Sequence, residues 1–204
     1  MDDFNYHGDC RIDNVSLDLF RALVSCNFKQ VLFGIENGNQ RLLDYYRKDI
    51  TLSQIEQAIK TVKKSQMELV FGAFIFGAPD ETISESIITL KFALKLKLDY
   101  TVLQVLTVQP MSPIYQELVE KKLYTPREDD WKWIVKVPDI CPTAVPTETL
   151  LRLIDEGFLR LYNRRGIIKL IFDSLKKTYY IDNLIKAIRG FKRGGLQNGA
   201  RKTA

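Results

Sequence analysis

The sequence predicts a parallel α/β fold followed by a helical carboxyl-terminal extension, and three observations carry that expectation. Three apolar runs, at residues 31–35, 69–76 and 102–108, are nearly continuous in hydrophobic character rather than alternating, as strands covered on both faces are. Between them lie segments with helical periodicity, each opened by a capping-box pattern. Strand, helix, strand, helix, strand is two consecutive βαβ units, a segment of a parallel barrel or of an open sheet whose crossovers set each strand beside the previous one.

The elements follow in order. A short strand is expected around residues 10–13, and a helix over 16–28 places Leu17, Phe20, Leu23 and Val24 on one face. After the 31–35 strand, Thr51 and Gln54 form a capping box that opens a helix with Ile55, Ala58, Ile59 and Val62 in one buried stripe. Thr82 and Glu85 open the next helix, whose expected buried stripe is Ile83, Ile87, Leu90 and Leu94. Beyond residue 108, Pro110 and Pro113 break the pattern before a short helix over 114–122. Residues 124–146 hold four of the seven prolines together with Trp131 and Trp133, which reads as a surface connector with the two indoles pinning it down. A helix from Thr147 carries Leu150, Leu153, Ile154, Gly157, Phe158 and Leu161 on one face, and further helical segments are expected over 167–175 and 181–188.

Composition bounds the function. At 204 residues the chain falls short of the roughly 250 of a complete eight-stranded α/β barrel. With 46% hydrophobic, 11% aromatic and 27% charged residues it is an ordinary globular sequence, which excludes collagen-like and disordered classes. The longest strictly apolar stretch, 69–79, has 11 residues, too few to span a bilayer, and the amino end lacks a basic-then-apolar layout, so a cytoplasmic location is expected. Cys10, Cys26 and Cys141 are too far apart for a metal-binding cluster, and His7, the one histidine, has no neighbouring ligand type, so no metal site is expected from this chain. The net charge of +5 is concentrated at the end: residues 183–204 hold six lysines and arginines and no acid. Such a tail suits nucleic acid or an anionic membrane surface only weakly, because its four glycines also fit a solvated terminus.

In parallel α/β folds, functional residues gather where strands end, because loops and helix amino termini converge there. The first exit reads Gly34-Ile35-Glu36-Asn37-Gly38-Asn39-Gln40, an acid at a strand end followed by a tight turn, and the second reads Gly77-Ala78-Pro79-Asp80-Glu81-Thr82. Taken separately, both also suit structural roles, Glu36 capping a turn and Glu81 stabilising a helix amino terminus.

In this order and spacing the exits resemble those of radical S-adenosylmethionine (radical SAM) enzymes, most closely the subgroup that carries a cobalamin-binding domain ahead of the barrel. The Cys10-Arg11-Ile12-Asp13 segment is similar to the family's third strand, 33–43 to its G-I-E-S-G-S-Q fourth-strand motif, 72–82 to its fifth, and 99–115 to its sixth. Asn37 stands where the family has serine, Asp80 where it has glycine, and no C-x-x-x-C-x-x-C loop is present. The resemblance implies a partial TIM-like (βα) barrel segment at 1–123, the connector at 124–146, a helical extension at 147–190 and a basic tail at 191–204. It also implies the family's chemistry for the complete protein. There, electron transfer from a [4Fe–4S] cluster cleaves S-adenosylmethionine to a 5′-deoxyadenosyl radical, with cobalamin-assisted methyl transfer in some members. Cluster and cobalamin would not be ligated by residues of this chain, which alone is expected to be inactive and to need a chain or preceding region that completes the barrel.

By the same resemblance Arg11 would pair with the carboxylate of S-adenosylmethionine, and Glu36 with Asn37 would bind its ribose hydroxyls or amino group. Backbone at Phe76 and Gly77 and at Leu106 to Val108 would bracket the adenine. The substrate is not specified by the sequence. Two rival readings stand beside this one, a non-catalytic scaffold whose basic tail contacts nucleic acid or membrane, and an unrelated open α/β domain. The expectation that separates them is geometric: the exits at Glu36, Gly77 and Val108 should line one mouth.

Overall fold

A computed structural model describes residues 4–128 and 145–161. Its elements are β1 (Tyr6–Cys10), a 3-10 turn (Ile12–Asn14), α1 (Leu17–Ser25), β2 (Phe28–Glu36), α2 (Gln40–Tyr45), α3 (Leu52–Lys64), β3 (Leu69–Phe76), α4 (Ile83–Leu96), β4 (Tyr100–Val105), α5 (Pro113–Glu120) and α6 (Thr147–Leu161). The strands form one sheet in the order β1-β2-β3-β4, every neighbouring pair parallel. The parallel α/β expectation holds. The Trp131 and Trp133 connector, Cys141, the helices expected over 167–175 and 181–188, the basic tail and the side chains of Phe158 and Leu161 lie outside the described residues.

The helices are specified locally. Ser16, Asn39, Thr51, Thr82 and Ser112 each cap a helix amino terminus through the side-chain oxygen, and the boxes at Thr51/Gln54 and Thr82/Glu85 are both formed. Glu85 does more than cap: Arg41 donates to both its carboxylate oxygens, at 2.8 and 2.9 Å, tying the amino end of α4 to α2. That guanidinium holds the Glu85 carboxyl at about 2, so it is ionised throughout the neutral range.

Helices lie on one face of the sheet. Val31, Phe33, Ile35, Val70, Phe74 and Phe76 pack there against Phe20 of α1, Ile55, Ile59 and Val62 of α3, and Leu90 and Ala93 of α4. The alternate residues Leu32, Phe71, Ala73 and Val102 point to the opposite face and are only half-buried, with no helix laid along them among the described residues. At the carboxyl ends of the strands this face is closed by α5, where Ile75, Leu106, Val108, Leu118 and Tyr124 form a second, smaller core. Parallel sheets are as a rule covered on both faces, and among the described residues α5 is the helix that packs against the second face of this one.

Two details correct the sequence reading. The first strand ends at Cys10 rather than running on to residue 13, and residues 12–14 form a 3-10 turn. Among the described residues β1 pairs on one side alone, with β2, which is itself paired on both sides. In α4 the buried residues are Ser86, Thr89, Leu90, Phe92, Ala93 and Leu96, while Ile83, Ile87 and Leu94 are 38–44% exposed. The polar residues face inward because loops from β2 and β3 require them as hydrogen-bond partners, as the geometry of the strand ends makes plain.

Candidate functional site

Because all four strands run the same way, their carboxyl ends converge along one edge of the sheet. Cys10 pairs with Phe33, Gly34 with Ala73, Glu36 with Phe74, and Phe76 with Val105. Glu36, Gly77 and the residues leaving β4 therefore stand on adjacent strands at the same end.

The β2 exit is strained and specific. Asn37 donates its backbone N–H to the carbonyl of Ile35 at 2.9 Å, closing a three-residue γ-turn on Glu36, whose φ of 68° is the left-handed value that non-glycine residues avoid. Strain of this kind persists only where surrounding contacts impose it, and it concentrates at ligand sites. Here it folds the Glu36 carboxylate back over Gly34: a Cβ added at Gly34 would lie 2.7 Å from Glu36 Oε1. Glycine at 34 is thus the floor under the carboxylate. Lys48, arriving from the loop between α2 and α3, reaches Glu36 Oε1 at 2.7 Å and the carbonyl of Gly34 at 3.4 Å. Both side chains are largely shielded, with 22% and 17% of their surface exposed.

Beside this pair lies a cavity of about 200 Å³ lined by Asp9, Cys10, Arg11, Asp13, Gly34, Lys48 and Ile50. Arg11 is on its rim and makes a bidentate pair with Asp13 through Nε and Nη2, at 2.8–3.2 Å. Each partner favours the charged form of the other, so the Asp13 carboxyl lies below its usual range and the Arg11 guanidinium above its own. The Cys10 thiol is pushed up, chiefly by burial and then by the Asp13 charge.

Asn37 does not share this cavity. It is fully buried; its Oδ1 accepts from Asn39 N–H at 2.9 Å and Thr89 Oγ1 at 2.8 Å, and its Nδ2 donates to the carbonyl of Ile75. Thr89 in turn accepts from Gly38 N–H at 3.2 Å. The side chain paired with Glu36 in the sequence reading is occupied in docking the β2 exit onto α4.

The β3 exit is held by Glu81, also fully buried. Its Oε2 accepts from the N–H groups of Gly77 and Ala78 at 2.7 and 2.9 Å, and its Oε1 accepts from Ser86 Oγ at 2.7 Å. Gly77, at φ 91°, turns the chain in a conformation that a side chain would resist. Leu106 N–H donates to the carbonyl of Phe76 at 2.7 Å, so the two backbone segments assigned to the adenine are adjacent and bonded to one another. Val108 is buried in the small core under α5. Tyr46, whose hydroxyl is enclosed and has no hydrogen-bond partner among the described residues, lies within electrostatic reach of Glu81 and Glu36, and its ionisation is pushed up chiefly by burial.

Of the residues assigned from sequence, the structure puts Arg11 on the cavity and Glu36 beside it, bonded to the cavity-lining Lys48, sets Gly77 and the Phe76–Leu106 contact on the neighbouring strands, and directs Asn37 elsewhere. Lys48, Asp9 and Tyr46 were not foreseen. Nothing local marks them, since each reaches the mouth through a loop or register that only the fold defines.

Among the described residues, no group of three or more histidines, cysteines or acids is placed to hold a metal ion. No helix among them is long and apolar enough to cross a membrane.

The four-stranded parallel α/β architecture is similar in fold to solved radical SAM enzymes. Coproporphyrinogen III oxidase (HemN) of Escherichia coli, a radical SAM enzyme, superposes with a TM-score of 0.56 at 14% identity, over 78% of this chain and 32% of that one. The radical S-adenosylmethionine methyltransferase TsrM of Kitasatospora setae, solved with cobalamin and a [4Fe–4S] cluster, superposes at 0.50 with 18% identity, over 55% of this chain and 22% of its own. In sequence the chain is 28% identical to an uncharacterized methyltransferase of Pyrococcus horikoshii over 94% of its length, and 27% identical over 60% to a provisionally named methylthiotransferase of Methanocaldococcus jannaschii. It spans 40% and 26% of those two relatives. No family model matches.

Proposed function

We propose that this chain forms the later half of a partial barrel in a radical SAM enzyme of the cobalamin-associated type, and that its strand ends supply binding groups for S-adenosylmethionine rather than the radical-generating centre. The observation that carries this reading is the Glu36 carboxylate, folded over Gly34 by a strained turn at the mouth of the parallel strands. A glycine cradle under an inward carboxylate fits a ribose diol, whose hydroxyls can donate to the lone pairs of the carboxylate oxygen that Lys48 leaves open. Arg11 would meet the carboxylate of the methionine moiety by exchanging its exposed partner Asp13, which at 43% exposed is readily rehydrated. The apolar residues at the ends of β3 and β4 would exclude water from the adenine.

The cluster does not fit this chain. Cys10, Cys26 and Cys141 lack the C-x-x-x-C-x-x-C spacing of three iron ligands. The half-buried side chains on the second sheet face and the edge of β1, which has no partner strand beyond β2 among the described residues, support completion by further strands, on a longer chain or on a partner. Anaerobic reconstitution tests both points. The chain alone should hold no stoichiometric iron and sulfide, whereas co-expression with a polypeptide supplying two earlier strands and a C-x-x-x-C-x-x-C loop should give a complex with one [4Fe–4S] per barrel. A stoichiometric cluster on this chain by itself would overturn the reading.

A further inference from the structure

We propose that Lys48 is a positioning residue for Glu36, holding its carboxylate inward over the mouth of the strands; the inference rests on the reading of Glu36 as a ribose ligand. Lys48 belongs to no motif that marks strand exits, being 12 positions beyond Glu36 on the loop after α2. That loop is built to present it. Arg47 and Asp49 on either side both adopt left-handed backbone, at φ 51° and 52°, an arrangement that costs free energy at two non-glycine positions and turns the intervening side chain toward the sheet. The Lys48 N–H is fixed by the carbonyl of Leu43 at 3.1 Å. Gln40 then braces the far side, donating to the carbonyl of Ile50 at 3.0 Å and accepting from Leu52 N–H at 3.2 Å, while Ile50 is buried as a plug.

The ammonium so delivered makes two contacts, with Glu36 Oε1 and the carbonyl of Gly34, both belonging to the strained exit of β2. Contrast the Arg11–Asp13 pair, which joins neighbours two residues apart, 58% and 43% exposed, and positions nothing beyond itself. A shielded pair that joins two elements at a strained backbone position constrains a side chain; an exposed local one does little. With one oxygen of Glu36 held by Lys48, the other is left to face a ligand, in an orientation fixed before binding.

The test uses the full chain, S-adenosylmethionine as the probe, and the variants Lys48→Met, Lys48→Arg, Glu36→Gln and the Lys48→Met/Glu36→Gln double. Lys48→Met is expected to weaken binding about tenfold, the lower end for a lost charge-assisted hydrogen bond, and Lys48→Arg to recover most of it. In the Glu36→Gln background, Lys48→Met is expected to change affinity less than about twofold, because its effect passes through the missing carboxylate. A ligand-free readout accompanies this: the Glu36 side-chain carboxyl 13C resonance should shift in Lys48→Met and return in Lys48→Arg, with the amide spectrum otherwise retained. An undiminished loss in the Glu36→Gln background, or a Glu36 carboxyl resonance unmoved in Lys48→Met, overturns the proposal. If the wild-type chain binds no S-adenosylmethionine, the ribose reading fails, and the carboxyl resonance alone decides for or against the positioning role.

Discussion

Glu81→Ala should lower stability by about 3 kcal/mol or more, the largest effect expected of any single substitution at the strand ends. The carboxylate is fully buried and accepts from Gly77 N–H, Ala78 N–H and Ser86 Oγ. Removing it leaves these buried donors without their acceptor, at about 1–3 kcal/mol each though not additively, together with a cavity where the side chain stood. For a chain of this size that corresponds to a fall in Tm of roughly 6–12 °C. Glu81→Gln keeps the shape and one acceptor oxygen, and Ser86 Oγ can accept from the new amide, so most of the loss should be recovered. Thermal unfolding of the three proteins side by side checks this. An alanine variant as stable as wild type would mean that the β3 exit is not held by this carboxylate.

Glu81 also shows how far the sequence could be read. Its position before a capping box indicated a helix-terminal role, and it does sit beside the Thr82 cap, but its task is to fold the turn behind it by accepting two N–H groups from residues three and four earlier. The partner Ser86 explains why α4 buries a polar face. Hydropathy placed Ile83, Ile87 and Leu94 inward because they form the most apolar stripe, yet the helix is rotated so that Ser86 and Thr89 meet Glu81 and Asn37. Hydrogen bonding of two loops outweighed the burial of three aliphatic side chains, and such pairings between distant residues leave no trace in periodicity. The capping boxes, by contrast, depend only on neighbours three residues apart, and both formed as expected.

The same distinction separates what was legible at the site. Continuous apolar runs gave β2, β3 and β4, but β1, a five-residue edge strand reading Tyr-His-Gly-Asp-Cys, has no apolar run to display. Glu36 stood out because it is an acid at the end of an apolar run, set between Gly34 and Gly38. Lys48 did not, since its approach to Glu36 depends on two left-handed residues that are neither glycine nor asparagine.

Gly38→Ala should cost about 2–4 kcal/mol, nearly as much as Glu81→Ala, for a steric reason. An added Cβ would stand 2.7 Å from both Thr89 Cα and Phe92 Cβ, and the first of these is helix backbone that cannot swing aside. The β2 exit would have to lift from α4, stretching the Gly38–Thr89 and Asn37–Thr89 hydrogen bonds, so overpacking of about 1–3 kcal/mol is joined by about 0.5 kcal/mol for each of the two weakened bonds. Gly8→Ala is the control: its Cβ would meet only the ring edge of Phe28 at 3.3 Å, which can turn slightly, and the expected cost is under about 1 kcal/mol. Equal destabilisation of the two variants in urea unfolding would show that the contact of this loop with α4 is not tight. Lifting the loop should also relax the strained turn at Glu36, linking the stability of this contact to the orientation of the carboxylate.

The central claim is that the ends of adjacent parallel strands form one receptor for a sulfonium nucleoside, and backbone amide NMR of the full chain titrated with S-adenosylmethionine tests it most directly. Saturable shifts are expected at residues 9–13, 34–38, 76–78 and 106–108, with those at 34–38 lost in Glu36→Gln. Shifts confined to the β1 amino end or the outer surfaces of α1 and α3, or no saturable shifts at all, would contradict it.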